Sequence, residues 1–143
     1  MSVIPIKIFV FDLIFPRRCL GCSVLIEDRS GSYVCRDCLG KITFTRNFAC
    51  AFCGSPVVCG KTCVFCSKNP FLDRLLAAAS YDNPLVKKIL KTMKYRFVKT
   101  LGYDIAGMMA KYFQELRPKL DIGGAAVVIP VPLHRLRLNW RGF

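Results

Sequence analysis

The sequence is poor in acid, in histidine and in long apolar runs. Nine Asp and Glu stand against 22 Lys and Arg, a formal net charge of +13 over 143 residues. That balance points to phosphate, nucleic acid or another anionic surface as partner. With a single histidine, His134, the chain lacks the usual His donors of an open catalytic zinc centre. The longest apolar stretch, residues 3 to 15, is broken by Pro5, Lys7 and Asp12 and is too short and polar to span a bilayer. It lacks the cationic start and small-residue cleavage site of a secretory signal, being followed by Arg17, Arg18 and Cys19, so a cytoplasmic location is expected. The 53 % apolar content excludes a disordered chain, and the length admits one compact domain, or a small metal-built module joined to part of another.

Cysteine is what the sequence has in excess. Nine occur, and eight of them form four Cys-x-x-Cys pairs: Cys19/Cys22, Cys35/Cys38, Cys50/Cys53 and Cys63/Cys66. Two intervening residues let a tight turn aim both sulfurs at one ion, so each pair is half of a tetrahedral site and four pairs make two sites. A disulfide framework would need an oxidising compartment and would leave an odd thiol over. Ferredoxin-type iron–sulfur runs crowd three cysteines together, which does not happen here. Redox Cys-x-x-Cys motifs usually occur once, at a helix start. Two structural zinc ions are therefore expected as the cofactors, held by sequential pairs with an interleaved cross-brace as the alternative. Eight thiolates and two Zn²⁺ would lower +13 to about +9. Cys59 is left as a spare thiol near the second site. Closed four-cysteine sites build a scaffold rather than a catalytic centre, and no catalytic residue is assigned.

Beyond Cys66 the cysteines stop, and Asn69-Pro70 marks the expected boundary. Segment 71 to 81 fits a tightly packed strand or a short helix. Asp82-Asn83-Pro84 then reads as a helix start, with a capping side chain before proline. From Pro84 to about Tyr95, Leu85, Val86, Ile89, Leu90 and Met93 fall on one face and Lys87, Lys88, Lys91 and Lys94 on the opposite one. A second helix is expected from about Lys99 to Leu116, with Leu101, Ile105, Met108, Met109, Tyr112 and Phe113 as its core side. An apolar strand is expected over 125 to 129, followed by a basic loop over 133 to 141. Arg135, Arg137 and Arg141 in that loop, with Lys87, Lys91 and Lys94 on the helix, are the candidate phosphate-binding residues.

In order and spacing these features resemble the ComF-type proteins, relatives of competence protein F. The resemblance is carried by Phe15-Pro16-Arg17-Arg18-Cys19-Leu20-Gly21-Cys22, the double ribbon with Cys53-Gly54, Tyr81-x-x-Pro84 leading into the lysine helix, Ile129-Pro130-Val131-Pro132-Leu133, and Arg141-Gly142-Phe143. It implies a mixed architecture: an apolar segment (1–18), a double zinc ribbon with four cysteines per ion (19–68), and the front part of a type I phosphoribosyltransferase-like α/β domain (69–143). It also implies an association with DNA uptake, with single-stranded DNA, the uptake machinery or a phosphorylated ligand as partners. The family's paired aspartates followed by Thr-Thr-Gly-x-Thr are not found here, and no two aspartates are adjacent. Mg²⁺ and phosphoribosyl pyrophosphate are thus expected only in an intact homologue. The chain reads as an amino-terminal fragment without transferase activity. The alternative is a stand-alone ribbon module that binds nucleic acid or protein.

Overall fold

A computed structural model describes residues 16–26, 31–68, 71–120 and 127–143. The apolar segment 1–15, the Asn69-Pro70 boundary and residues 125 and 126 of the expected strand lie outside them. Two cysteine-rich loops come first, followed by helices. A short helix α1 (Arg36–Gly40) closes the first loop, and a one-turn 3-10 helix (Val58–Gly60) lies inside the second. Helices α2 (Pro84–Arg96), α3 (Leu101–Leu116) and α4 (Arg135–Arg141) complete the order, with a 3-10 turn (Arg117–Lys119) after α3.

Helix α2 starts where its capping signal stands. The Asn83 carboxamide oxygen accepts from the Leu85 and Val86 backbone N–H groups at 2.9 and 3.2 Å, with Pro84 in the first turn. It ends at Phe97, whose left-handed φ of 59° turns the chain toward α3. The apolar face is the expected one: Val86 and Ile89 are buried, and Leu85, Leu90 and Met93 pack beside them. In α3, Leu101 is wholly enclosed and Tyr112 is buried, but Met109 and Phe113 face outward, and Leu116 takes the last core position.

Two apolar clusters join ribbons to helices. The first sets Cys19, Val34, Cys38 and Ile42 against Val86, Ile89 and Leu101; the second sets Cys59 against Tyr112, Leu116 and Leu120. At about 25 cal/mol per Å² of apolar surface removed from water, such shared burial holds the cysteine-rich loops against the helices. Segment 71 to 81 is neither helix nor regular strand. It runs extended along the second loop, where Thr62 N–H donates to Asp73 C=O (2.8 Å) and Leu75 N–H to Gly60 C=O (3.0 Å).

Two expectations change at the carboxyl side. Among the described residues β pairing is confined to three isolated antiparallel bridges, and Val127–Ile129 carries no partner strand. The basic segment expected as a loop over 133–141 is instead helical from Arg135 on. His134 Nδ1 caps it by accepting from Leu136 N–H at 3.4 Å. Trp140 of α4 lies edge-on to Phe97 (centroids 5.2 Å apart) and near Tyr95 (6.4 Å), while Lys99 Nζ donates to Gly142 C=O at 2.7 Å. These contacts hold α4 against the α2–α3 turn.

Candidate metal centres and basic surface

Each site begins with the same tight turn, offset by 31 residues. In the first, Cys19 N–H donates to Val24 C=O and Ser23 N–H to Cys19 C=O, both at 2.9 Å, and an Arg18–Leu25 bridge closes the loop. In the second, Cys50 N–H donates to Ser55 C=O (2.8 Å) and Gly54 N–H to Cys50 C=O (3.0 Å), beneath an Ala49–Pro56 bridge. The residue after the second cysteine is left-handed in both, with φ 63° at Ser23 and 73° at Gly54. Glycine meets that demand without strain and serine with a modest cost. The turn aims both sulfurs of a pair the same way.

The remaining pairs differ. Cys35 stands at the start of α1, which carries the buried Cys38. Cys63 and Cys66 sit on a bare turn in which Cys66 N–H donates to Cys63 C=O at 3.0 Å.

The sulfurs form two four-membered groups, Cys19/Cys22/Cys35/Cys38 and Cys50/Cys53/Cys63/Cys66, with the ligand atoms of each group within 4.8 Å of one another. The pairing is sequential and not cross-braced, and Cys59 belongs to neither group. Zinc–sulfur bonds of about 2.3 Å place tetrahedral sulfurs about 3.8 Å apart. Cys19–Cys35 and Cys22–Cys35 are 3.6 and 3.7 Å apart, and Cys53–Cys63 3.6 Å. Both groups fit a structural zinc ion with all four positions filled by thiolate.

Backbone donors prepare one anionic sulfur in each group. Burial pushes the Cys19 thiol up, but N–H donation from Cys35, Cys22 and Gly21 outweighs it and brings it to about 6; Gly21 and Cys35 N–H each lie 3.3 Å from its sulfur. N–H groups of Cys63, Cys53 and Phe52 bring Cys50 to about 6 in the same way. At the far corner of each site the neighbouring thiol, Cys35 or Cys63, together with burial, pushes Cys38 and Cys66 up to about 12. A divalent cation is what allows such sulfurs to be thiolates together.

Residues 10–69 match the model of the double zinc ribbon domain. No curated protein and no solved structure matches the chain. The two ribbons thus constitute a zinc-binding module, and no helix among the described residues is long and apolar enough to cross a membrane.

Cys59 is a spare thiol as expected, ligating in neither group, but it has a packing role that its position did not suggest. It is buried in the second cluster with Tyr112, Leu116 and Leu120, packed also by Phe44, Phe48, Leu76 and Ala78. The residue adopts a left-handed φ of 47°, and its carbonyl accepts from Arg74 Nη1 at 3.3 Å. Its work is to pin the second ribbon to α3. No local pattern signals this, because the contact joins residues more than fifty positions apart.

The candidate phosphate-binding residues form two groups. Lys87, Lys88 and Lys91 line a groove of about 520 Å³ between α2 and the first ribbon, with Tyr95, Arg96 and Leu20 beside them and no acidic side chain. Lys88 Nζ donates to Leu20 C=O at 2.6 Å, and Lys87 lies 5.5 Å from the Tyr81 ring centre. Lys94 is half-buried and does not line the groove. Arg135, Arg137 and Arg141 are carried by α4, where Arg135 and Arg137 are exposed and Arg141 Nε is buried without a hydrogen-bond partner. Sequence reasoning missed Tyr95 and Arg96, which the last turn of α2 brings to the groove, the helix running one residue beyond the expected end.

Proposed function

We propose that this chain is the zinc-ribbon and helical front part of a ComF-like protein, and that it contributes binding to the phosphate backbone of single-stranded DNA during uptake. The groove on α2 carries this reading: four cations converge beside an aromatic ring with no acid among them. Single-strand binders combine such a basic track with aromatic side chains on which bases stack, and Tyr95 supplies the ring. The ribbon's part is to set the groove, since Leu20 of the first zinc loop forms one wall and holds Lys88 through its carbonyl.

Within the ComF-like reading, residues 69–143 form the beginning of the phosphoribosyltransferase-like domain. The extended segment around Val127, Val128, Ile129 and Val131 is more than four-fifths exposed at each of these side chains, as a strand lacking its sheet neighbours would be. Phosphoribosyl transfer is not assigned to these residues, because Asp82 and Asp104 stand in separate elements and no paired aspartates occur.

A second reading, the stand-alone module, is favoured by one observation: ribbons and helices share their apolar clusters, so the described residues already bury what holds them together. Titration of the zinc-loaded chain with a labelled single-stranded oligonucleotide at several salt concentrations tests the binding proposal. The expected result is affinity falling steeply with salt, with a slope reduced by about 1 to 2 in Lys87→Ala/Lys91→Ala. A slope unchanged in that double variant would overturn the groove as the site. Binding of phosphoribosyl pyrophosphate with Mg²⁺ by the chain alone would overturn the reading that residues 69–143 carry no phosphoribosyl site of their own.

A further inference from the structure

We propose that segment 127–131 is a self-association edge, through which two copies of this chain pair antiparallel about a two-fold axis at Ile129. Val127, Val128, Ile129 and Val131 are each more than four-fifths exposed. Neighbours along a strand point to opposite faces, so exposure of both Val128 and Ile129 means that neither face is covered. None of the N–H or C=O groups of 127–133 hydrogen-bonds to a described residue, and no bridge includes them. With β-branched side chains at every position but Pro130, the segment has the composition of a strand. An unpaired apolar strand is a template for another.

The prolines decide which edge can pair. In a strand the backbone groups of alternate residues point to opposite edges. Pro130 and Pro132 have no N–H and share an edge with Val128, whereas Val127, Ile129 and Val131 keep donor and acceptor on the other. Only that second edge can form a full ladder.

A second copy fits it because the edge is self-complementary. Antiparallel pairing about Ile129 sets Val127 opposite Val131 and Ile129 opposite itself, so each cross-strand pair is β-branched and each exchanges both N–H···O bonds. Two chains of +13 repel one another, but residues 122–133 carry no charged side chain, so no like charges stand opposite each other in the ladder. The paired copies then present only their proline edges, which cannot take a further strand. The contact is isologous and closes at two.

Sedimentation velocity of the zinc-loaded chain over a wide range of concentration tests this. A reversible equilibrium between one chain and two is expected; a single-chain species at every concentration, or open-ended assembly, would overturn the proposal. Ile129→Pro removes a donor from the pairing edge in both copies and should raise the dimer dissociation constant roughly tenfold or more. Val128→Pro removes one from the opposite edge and should leave it unchanged. Both positions are exposed and lie outside the two apolar clusters, so both variants should retain two zinc ions and the helical signal. Equal effects of the two substitutions would show that association runs through general apolar contact, such as the exposed Met109 and Phe113 of α3, and would overturn the paired edge. Lys87→Ala/Lys91→Ala should leave the dimer intact, which keeps this test independent of the proposed DNA groove.

Discussion

The two ribbons use the same opening turn and the same four thiolates, yet they are embedded differently. In the first, Cys19 and Cys38 are both buried, and the site is one wall of the cluster that contains Val86, Ile89 and Leu101. In the second only Cys50 is buried among the ligands, and Val58, Val64 and Phe65 beside it are more than four-fifths exposed. Its link to the helices runs through Cys59, which is not a ligand at all. Coordination chemistry therefore sets the local loop, and packing decides how far the loss of an ion propagates. The first zinc is a keystone of the ribbon–helix core; the second chiefly holds its own loop.

The largest effect that could break this contrast is the removal of one ligand from each site. Cys38→Ser should lose one zinc per chain and much of the α2 and α3 helical signal, whereas Cys66→Ser should lose one zinc and keep α2. Metal analysis with circular dichroism reads both, and the zinc contribution at stake is on the order of 10 kcal/mol per site. Equal helix loss in the two variants would erase the distinction. Next in size, Leu101→Ala should cost about 2–5 kcal/mol in denaturant unfolding through the cavity it leaves, against less than about 0.5 kcal/mol for Phe65→Ala on the exposed second loop.

Asn83→Ala, which removes the cap of α2, should cost about 1 kcal/mol and leave both zinc ions bound. Acidification gives a finer comparison. Cys38 and Cys66, pushed up to about 12, must shed protons to the metal at pH 7, so zinc affinity falls as pH falls. Cys19 and Cys50 stay ionised down to about 6 and compete for a proton only below it. A plot of log affinity against pH should thus steepen by about one proton per site below pH 6. A constant slope through that region would show that the backbone N–H groups do not hold these two sulfurs as thiolates.

What was legible beforehand was local chemistry. Cys-x-x-Cys spacing specifies ligand pairs because a turn of that length has few conformations, while which pairs share an ion came only from the fold; Asn83-Pro84 specifies a helix start because cap and φ are fixed within two residues. The lysine and apolar faces of α2 followed from its period. Long-range packing was not legible. Cys59 reads only as a spare thiol, and its packing against Tyr112 and Leu116 has no local signal. Residues 71 to 81 lack a periodic signal because they borrow backbone partners from the second loop. The segment 133–141 looked like a loop because its arginines hide a seven-residue helix that depends on the His134 cap and on Trp140 against Phe97.

Stepwise chelation of the two-zinc protein, followed by native mass spectrometry with hydrogen exchange on each species, tests the central contrast most directly. The expected intermediate carries one zinc, with exchange increased over 50–66 and the carboxyl half of α3 while α2 and the amino half of α3 stay protected. An intermediate that has lost the first zinc instead, or one in which α2 exchanges as freely as the second loop, would contradict it.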